Sequence, residues 1–185
     1  VAAPPPPGTS TIVVTSPSDR VADDGECTLR EAIVAANIDR ASGWTMGECS
    51  AGRGYDHIRF EITGRPDFTN DGRAGYSIRP SSPLPAIVTP MAIDASTQPG
   101  AELNAAVSPA PLNGRLLVEL DGSGAGARAD GLDIRSGSHG SLIRGLAINR
   151  FSARGIGSGG GGTDTTLVGN YIGVDPTGLI SEGNG

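Results

Sequence analysis

Leu142-Ile143-Arg144-Gly145-Leu146-Ala147-Ile148 and Thr166-Leu167-Val168-Gly169-Asn170-Tyr171-Ile172 lie 24 positions apart. The same offset places Gly131-Leu132-Asp133-Ile134 over Gly155-Ile156-Gly157-Ser158. Two strand signals therefore keep one period. Periods of about 20–50 residues mark repeat architectures. Short strands at this spacing, with no helix between them, predict stacked coils of parallel strands, a parallel β-helix. Stacking would set Leu132 under Ile156, Ile143 under Leu167 and Ile148 under Ile172. The strands would lie about 4.8 Å apart around an apolar interior. Glycines at 131/155 and 145/169 would serve the sharp corners.

Composition agrees with many short strands and many turns. The 185 residues include 29 glycines and 14 prolines, and only 4% are aromatic. All 14 positive charges are arginine, for there is no lysine. That excludes a P-loop lysine, a Schiff base and a Lys–Asn isopeptide staple. A formal charge of −6 argues against nucleic acid and anionic membranes as partners. No apolar run has the length of a membrane-spanning helix.

The chain opens Val1-Ala2-Ala3-Pro4-Pro5-Pro6-Pro7, which reads as a mature chain after removal of a signal peptide. Residues 1–9 are expected to form an extended proline-rich stem, and 10–185 a single domain. Within it, 10–56 would be an amino-terminal cap, 57–128 irregular early coils and 129–185 regular coils with an open end. Cys27 and Cys49 are the only cysteines. An even count in an exported chain suggests one disulfide, worth about 3 kcal/mol in the chain-entropy model. Two free buried thiols are the alternative.

Residues 28–37 carry the one good helix signal. Thr28-Leu29-Arg30-Glu31 fits a capping box, with Thr28 at the N-cap and Glu31 at N3. Leu29, Ala32, Ile33 and Ala36 make one apolar stripe, and Asn37 would close the helix. Strand signals lie at 10–16, 57–62, 76–79, 86–94 and 116–121. Trp44 is expected to pack inside the cap.

Asp24-Gly25-Glu26-Cys27-Thr28-Leu29-Arg30-Glu31-Ala32-Ile33, ending at Ala36-Asn37, resembles the amino-terminal signature of bacterial secreted right-handed parallel β-helix proteins. That signature reads Cys-Ser-Leu-Arg-Glu-Ala-Ile, with Thr28 here replacing the serine. Ile93-Asp94-Ala95-Ser96-Thr97-Gln98-Pro99-Gly100 is similar to the family's Ile-Asp-Gly-Thr-Thr-Gln-Pro-Gly turn. The resemblance implies an all-β, right-handed solenoid with a short capping α-helix. It also implies an extracellular or bacterial cell-surface place, and in some relatives an adhesive role. It carries little about mechanism.

Catalysis has candidates in Asp121, Asp130, Asp133, Arg135, His139, Arg144 and Arg150, since paired carboxylates can work on a glycosidic bond. Yet Gly157 and Gly159 stand where the next coil should extend Asp133 and Arg135 into a groove. A polysaccharide-binding or polysaccharide-cleaving module is therefore the alternative reading rather than the main one. Asp19, Asp23, Asp24 and Glu26 offer oxygen ligands to calcium, without EF-hand spacing. No other cofactor is expected. The main expectation is a structural or adhesive surface protein. Its partner would be another copy of itself or the remainder of a longer surface protein. Leu179 and Ile180 would mark the assembly edge of an end-to-end filament.

Overall fold

A computed structural model describes residues 8–107, 110, 112–159 and 161–185. Most of the expected stem therefore lies outside the described residues. Gly8 is a turn, and Thr9 already begins a strand.

Twelve strands and one α-helix follow in order. They are β1 (Thr9–Val14), α1 (Leu29–Ile38), β2 (Tyr55–Phe60), β3 (Phe68–Asn70), β4 (Arg73–Ile78), β5 (Met91–Asp94), β6 (Val118–Asp121), β7 (Leu132–Ile134), β8 (Leu142–Arg144), β9 (Leu146–Asn149), β10 (Ile156–Ser158), β11 (Thr166–Val168) and β12 (Tyr171–Ile172). A five-stranded sheet in the order β1-β2-β5-β8-β11 is parallel throughout. A second five-stranded sheet, β12-β9-β6-β4-β3, is parallel except at β3–β4. β7 and β10 form a two-stranded parallel sheet.

The expected all-β solenoid is corrected by this arrangement. The fold is of the α/β type, with mostly parallel sheets and one helix, and no closed solenoid is detected among the described residues. The 24-residue period spans only residues 131–172. Such a period dictates parallel pairing of neighbouring strands, which any crossover-connected sheet shares. Closure would need a third sheet along the whole chain, and the β7–β10 sheet has two strands. The antiparallel β3–β4 hairpin, turning at Asp71-Gly72, departs from the pattern altogether.

The core is built on register. Ile12 pairs with Ile58, Ile58 with Ile93, Ile93 with Ile143, and Ile143 with Leu167. The first four are fully buried. Ile78, Leu120, Ile148 and Ile172 make a second column in the other large sheet. Leu132 pairs with Ile156 in the small one. Gly145 and Gly169 both take positive φ, as corner residues should. Gly131 does not, but a β-carbon there would collide with the Gly155 carbonyl.

Helix α1 joins this core through Leu29, Ala32, Ile33 and Ala36. Its start follows the sequence logic. Glu31 N donates to Thr28 Oγ1 (3.3 Å), and Thr28 N donates to Glu31 Oε2 (3.0 Å). Its end does not. The helix runs through Asn37 to Ile38 and stops at Asp39 in the left-handed conformation. Asn37 instead bridges to the chain at Ala86 and Val88, donating to one carbonyl and accepting from the other amide. Cys27 and Cys49 form a disulfide across 22 positions, with Cα atoms 4.7 Å apart.

Peptide mass analysis without reductant will show Cys27 joined to Cys49. Replacing both by serine will lower the denaturant-unfolding free energy by about 3 kcal/mol, because the unfolded chain regains the entropy of an open loop.

Candidate functional site

The two edges of the parallel sheets are unlike. Beyond β1, helix α1 and the disulfide loop cover the end. Beyond β10, β11 and β12 the strands meet no further strand among the described residues. Leu167 is 48% exposed and Ile172 46% exposed, although their register partners Ile143 and Ile148 are fully buried. Val168 is exposed as well. The edge surrounds an open cavity of about 770 Å³. Ile134, Ile156, Leu167 and Ile172 give it apolar walls, and Asp164 and Thr165 add polar groups.

This is an exposed cross-section of the core, not a chemical pocket. Unpaired strand edges offer N–H and C=O groups to a further strand. The expected assembly residues Leu179 and Ile180 are both exposed, on a turn between Val174 and Ser181. Asp175 holds that turn by accepting from Leu179 N and Ile180 N, each at 3.0 Å. The expectation did not name the cavity-lining positions Asp164 and Thr165.

A second feature is a charged cleft of about 270 Å³ on the mixed five-stranded sheet. Arg150 is its hub. Its Nε donates to Asp121 Oδ1 (2.9 Å) and its Nη2 to Glu119 Oε1 (3.1 Å), while Nη1 reaches Glu182. Glu119 is only 4% exposed and also accepts from Ser77 Oγ and Asn149 Nδ2. Arg79 joins Asp121 to Asp67. Arg150 sits at φ 58, so the backbone is strained to aim this guanidinium. The hub ties residue 182 to strand β6. Glu119 and Asp121, filled by guanidinium, amide and hydroxyl donors, are poor proton acceptors, so the cluster acts as a clamp, although Glu182 Oε2 is buried without a partner among the described residues.

The remaining catalytic candidates do not converge with it. Asp130 pairs with Arg154, Asp133 with Arg135, and Arg144 with Asp94. His139 Nδ1 lies 2.7 Å from Thr163 Oγ1. Gly157 does stand beside Asp133 in register, but the Asp130 and Arg154 side chains lie over it, so the expected bare face is covered by that ion pair.

The calcium candidates are similarly dispersed. Asp19 pairs with Arg30 (2.8 Å), Asp23 accepts from Trp44 N and Thr45 N, and Asp24 accepts from Glu26 N. Among the described residues no three histidine, cysteine or acidic side chains gather around one point. No helix there is long and apolar enough to cross a membrane. Trp44 is not packed inside the cap as expected; it is 97% exposed.

The clamp makes a pH prediction. Burial opposes ionisation of Asp121, but hydrogen bonds from Arg150 and Ser123 outweigh it and hold its pKa below the ordinary value. A lowered pKa stabilises the fold above the unfolded value of about 4 and is lost as pH falls through the folded value. Arg150→Gln will therefore move the acid-unfolding midpoint to higher pH. At neutral pH it will cost about 2 kcal/mol, less than a fully buried pair because Arg150 is partly exposed. Circular dichroism against pH checks both. No protein-family model matches this chain, and comparison with curated proteins and with solved structures gives no match.

Proposed function

We propose that this chain is an extracellular structural or adhesive protein whose copies join end to end through the β10–β11–β12 edge. The observation that carries the reading is the exposed end of both apolar columns, at Leu167 and Ile172. Full burial of one such side chain is worth about 1.5–3 kcal/mol. Covering two half-exposed ones, with Val168 beside them, therefore favours association by a few kcal/mol before strand pairing is added. Large exposed apolar areas rimmed by polar groups mark interaction surfaces.

Two further features support the reading. The disulfide suits an oxidising compartment outside the cell. The resemblance of residues 24–37 to secreted surface proteins points the same way. A contact between unlike ends is heterologous, and one that does not close gives a filament. Asp130 and Asp133 lie within one charged group but are each held in an ion pair, with Arg154 and Arg135, which gives no support to a polysaccharide-cleaving site.

Sedimentation velocity and electron microscopy across a wide concentration range test this. The parent protein will form end-to-end assemblies as concentration rises. Val168→Lys will keep the fold and raise the concentration needed by about tenfold or more, since a charge is then desolvated at the contact. Monomers at every concentration would contradict the reading.

A further inference from the structure

Residues 39–49 form a loop at the β1 end that is held at several points. The disulfide fixes its last residue. Asp23 Oδ1 accepts from Trp44 N (3.1 Å) and Thr45 N (2.8 Å). Glu48 Oε1 accepts from Asp24 N (2.8 Å) and Gly25 N (2.9 Å), and its other oxygen from Ser42 Oγ (2.6 Å). Ser42 Oγ in turn accepts from Cys49 N (2.9 Å). Gly47 lies so close to the Gly25 carbonyl that a β-carbon would not fit.

This held loop presents two large apolar side chains to solvent. Trp44 is 97% exposed and Met46 96% exposed. Local packing gives these side chains no reason to stand there. Fixing a loop before contact removes an ordering cost from binding. Tryptophan is the residue type most enriched at the centres of protein contacts.

The β10–β11–β12 edge, across the sheets from β1, holds the complement. Its cavity of about 770 Å³ has apolar walls of Ile134, Ile156, Leu167 and Ile172, with residues 183–185 at its margin and Arg154 in its lining, the latter neutralised by Asp130. Thr165 Oγ1, in the same lining, is buried and has no hydrogen-bond partner among the described residues. An indole N–H needs an acceptor when buried, and a hydroxyl oxygen supplies one. Charge matches too. Arg40 flanks Trp44 in one surface recess, and Asp164 stands in the cavity lining. Among the described residues neither makes a salt bridge.

We propose that Trp44, with Met46, is the knob that enters the β10–β12 cavity of a second copy, with Arg40 meeting Asp164. The contact rests on the end-to-end reading and names its two faces. A knob on one surface and a hole on another is heterologous, so it propagates rather than closes. The occupant is another copy of this chain, because both halves of the match are on this chain.

Trp44 is the sole tryptophan, so its fluorescence reports the contact directly. Emission and sedimentation are followed together as the parent concentration rises. Emission will move to the blue in step with assembly. Trp44→Ala will leave the thermal midpoint unchanged, as an exposed side chain should, and raise the half-assembly concentration about thirtyfold or more. Arg40→Glu and Asp164→Arg will each weaken assembly, and the double reversal will restore it. Assemblies that form with unchanged emission, and equally well in Trp44→Ala, would overturn this contact while leaving the end-to-end reading intact. Monomers alone at all concentrations would overturn both.

Discussion

One column of side chains organises this molecule. Ile12, Ile58, Ile93, Ile143 and Leu167 stand over one another through unbroken parallel register. A strand has period two, so a slip of one residue would turn every member of the column to solvent. The register is therefore held by burial itself. The segments between the strands are free to vary provided they return the chain to the same register. That freedom is used fully. The β1–β2 connection contains both helix α1 and the disulfide, and the β2–β5 connection contains the β3–β4 hairpin.

The same constraint explains the asymmetry of the ends. A column of stacked apolar residues has two terminal members, and each needs cover. At Ile12 the cover is the next element in the chain, because α1 follows β1 directly in element order and packs on β1 and β2. The capping box and the disulfide fix that cover in place. At Leu167 and Ile172 no equivalent element lies over the edge among the described residues. Residues 182–185 do return to this region, and Arg150 N donates to the Glu182 carbonyl. They satisfy backbone groups at Arg150 and Phe151 but leave Leu167 exposed. The Arg150 clamp thus secures the margin of the open edge without closing it.

Much of this was legible in sequence because it rests on local signals. Thr28 and Glu31 are three residues apart, and the capping box depends on nothing distant. The alignment of Leu132 with Ile156, and of Ile143 with Leu167, depends on a period that can be counted. The rest depended on packing between distant segments. A repeat seen twice specifies pairing but not closure, so the all-β solenoid was an extrapolation from residues 131–172 to the whole chain. Phe68-Thr69-Asn70 carried no alternation long enough to mark a strand; its pairing with Arg73–Gly75 makes it one. Trp44 looked like a core residue because large aromatic side chains usually are. The hydrogen bonds of Asp23 and Glu48, with the disulfide at Cys49, hold its loop in an outward course. The clamp escaped notice in part because Glu119 reads as an interior strand position; its partner Arg150 lies 31 residues away.

The missing lysine acquires its meaning at the open edge. Natural sheets protect exposed edges with lysine, proline, inward charges or a covering element. The stretch Thr166-Leu167-Val168-Gly169-Asn170-Tyr171-Ile172 has none of these, and residues 155–185 contain no arginine either. An edge of this composition, left bare, would pair indiscriminately with other strands. Cover by one specific partner removes that hazard, and a rigid knob with a matching charge is a more selective cover than a flat strand. Specificity then resides in side chains at the contact, Trp44 against Thr165 and Arg40 against Asp164, while the strand edges contribute affinity that any strand could supply.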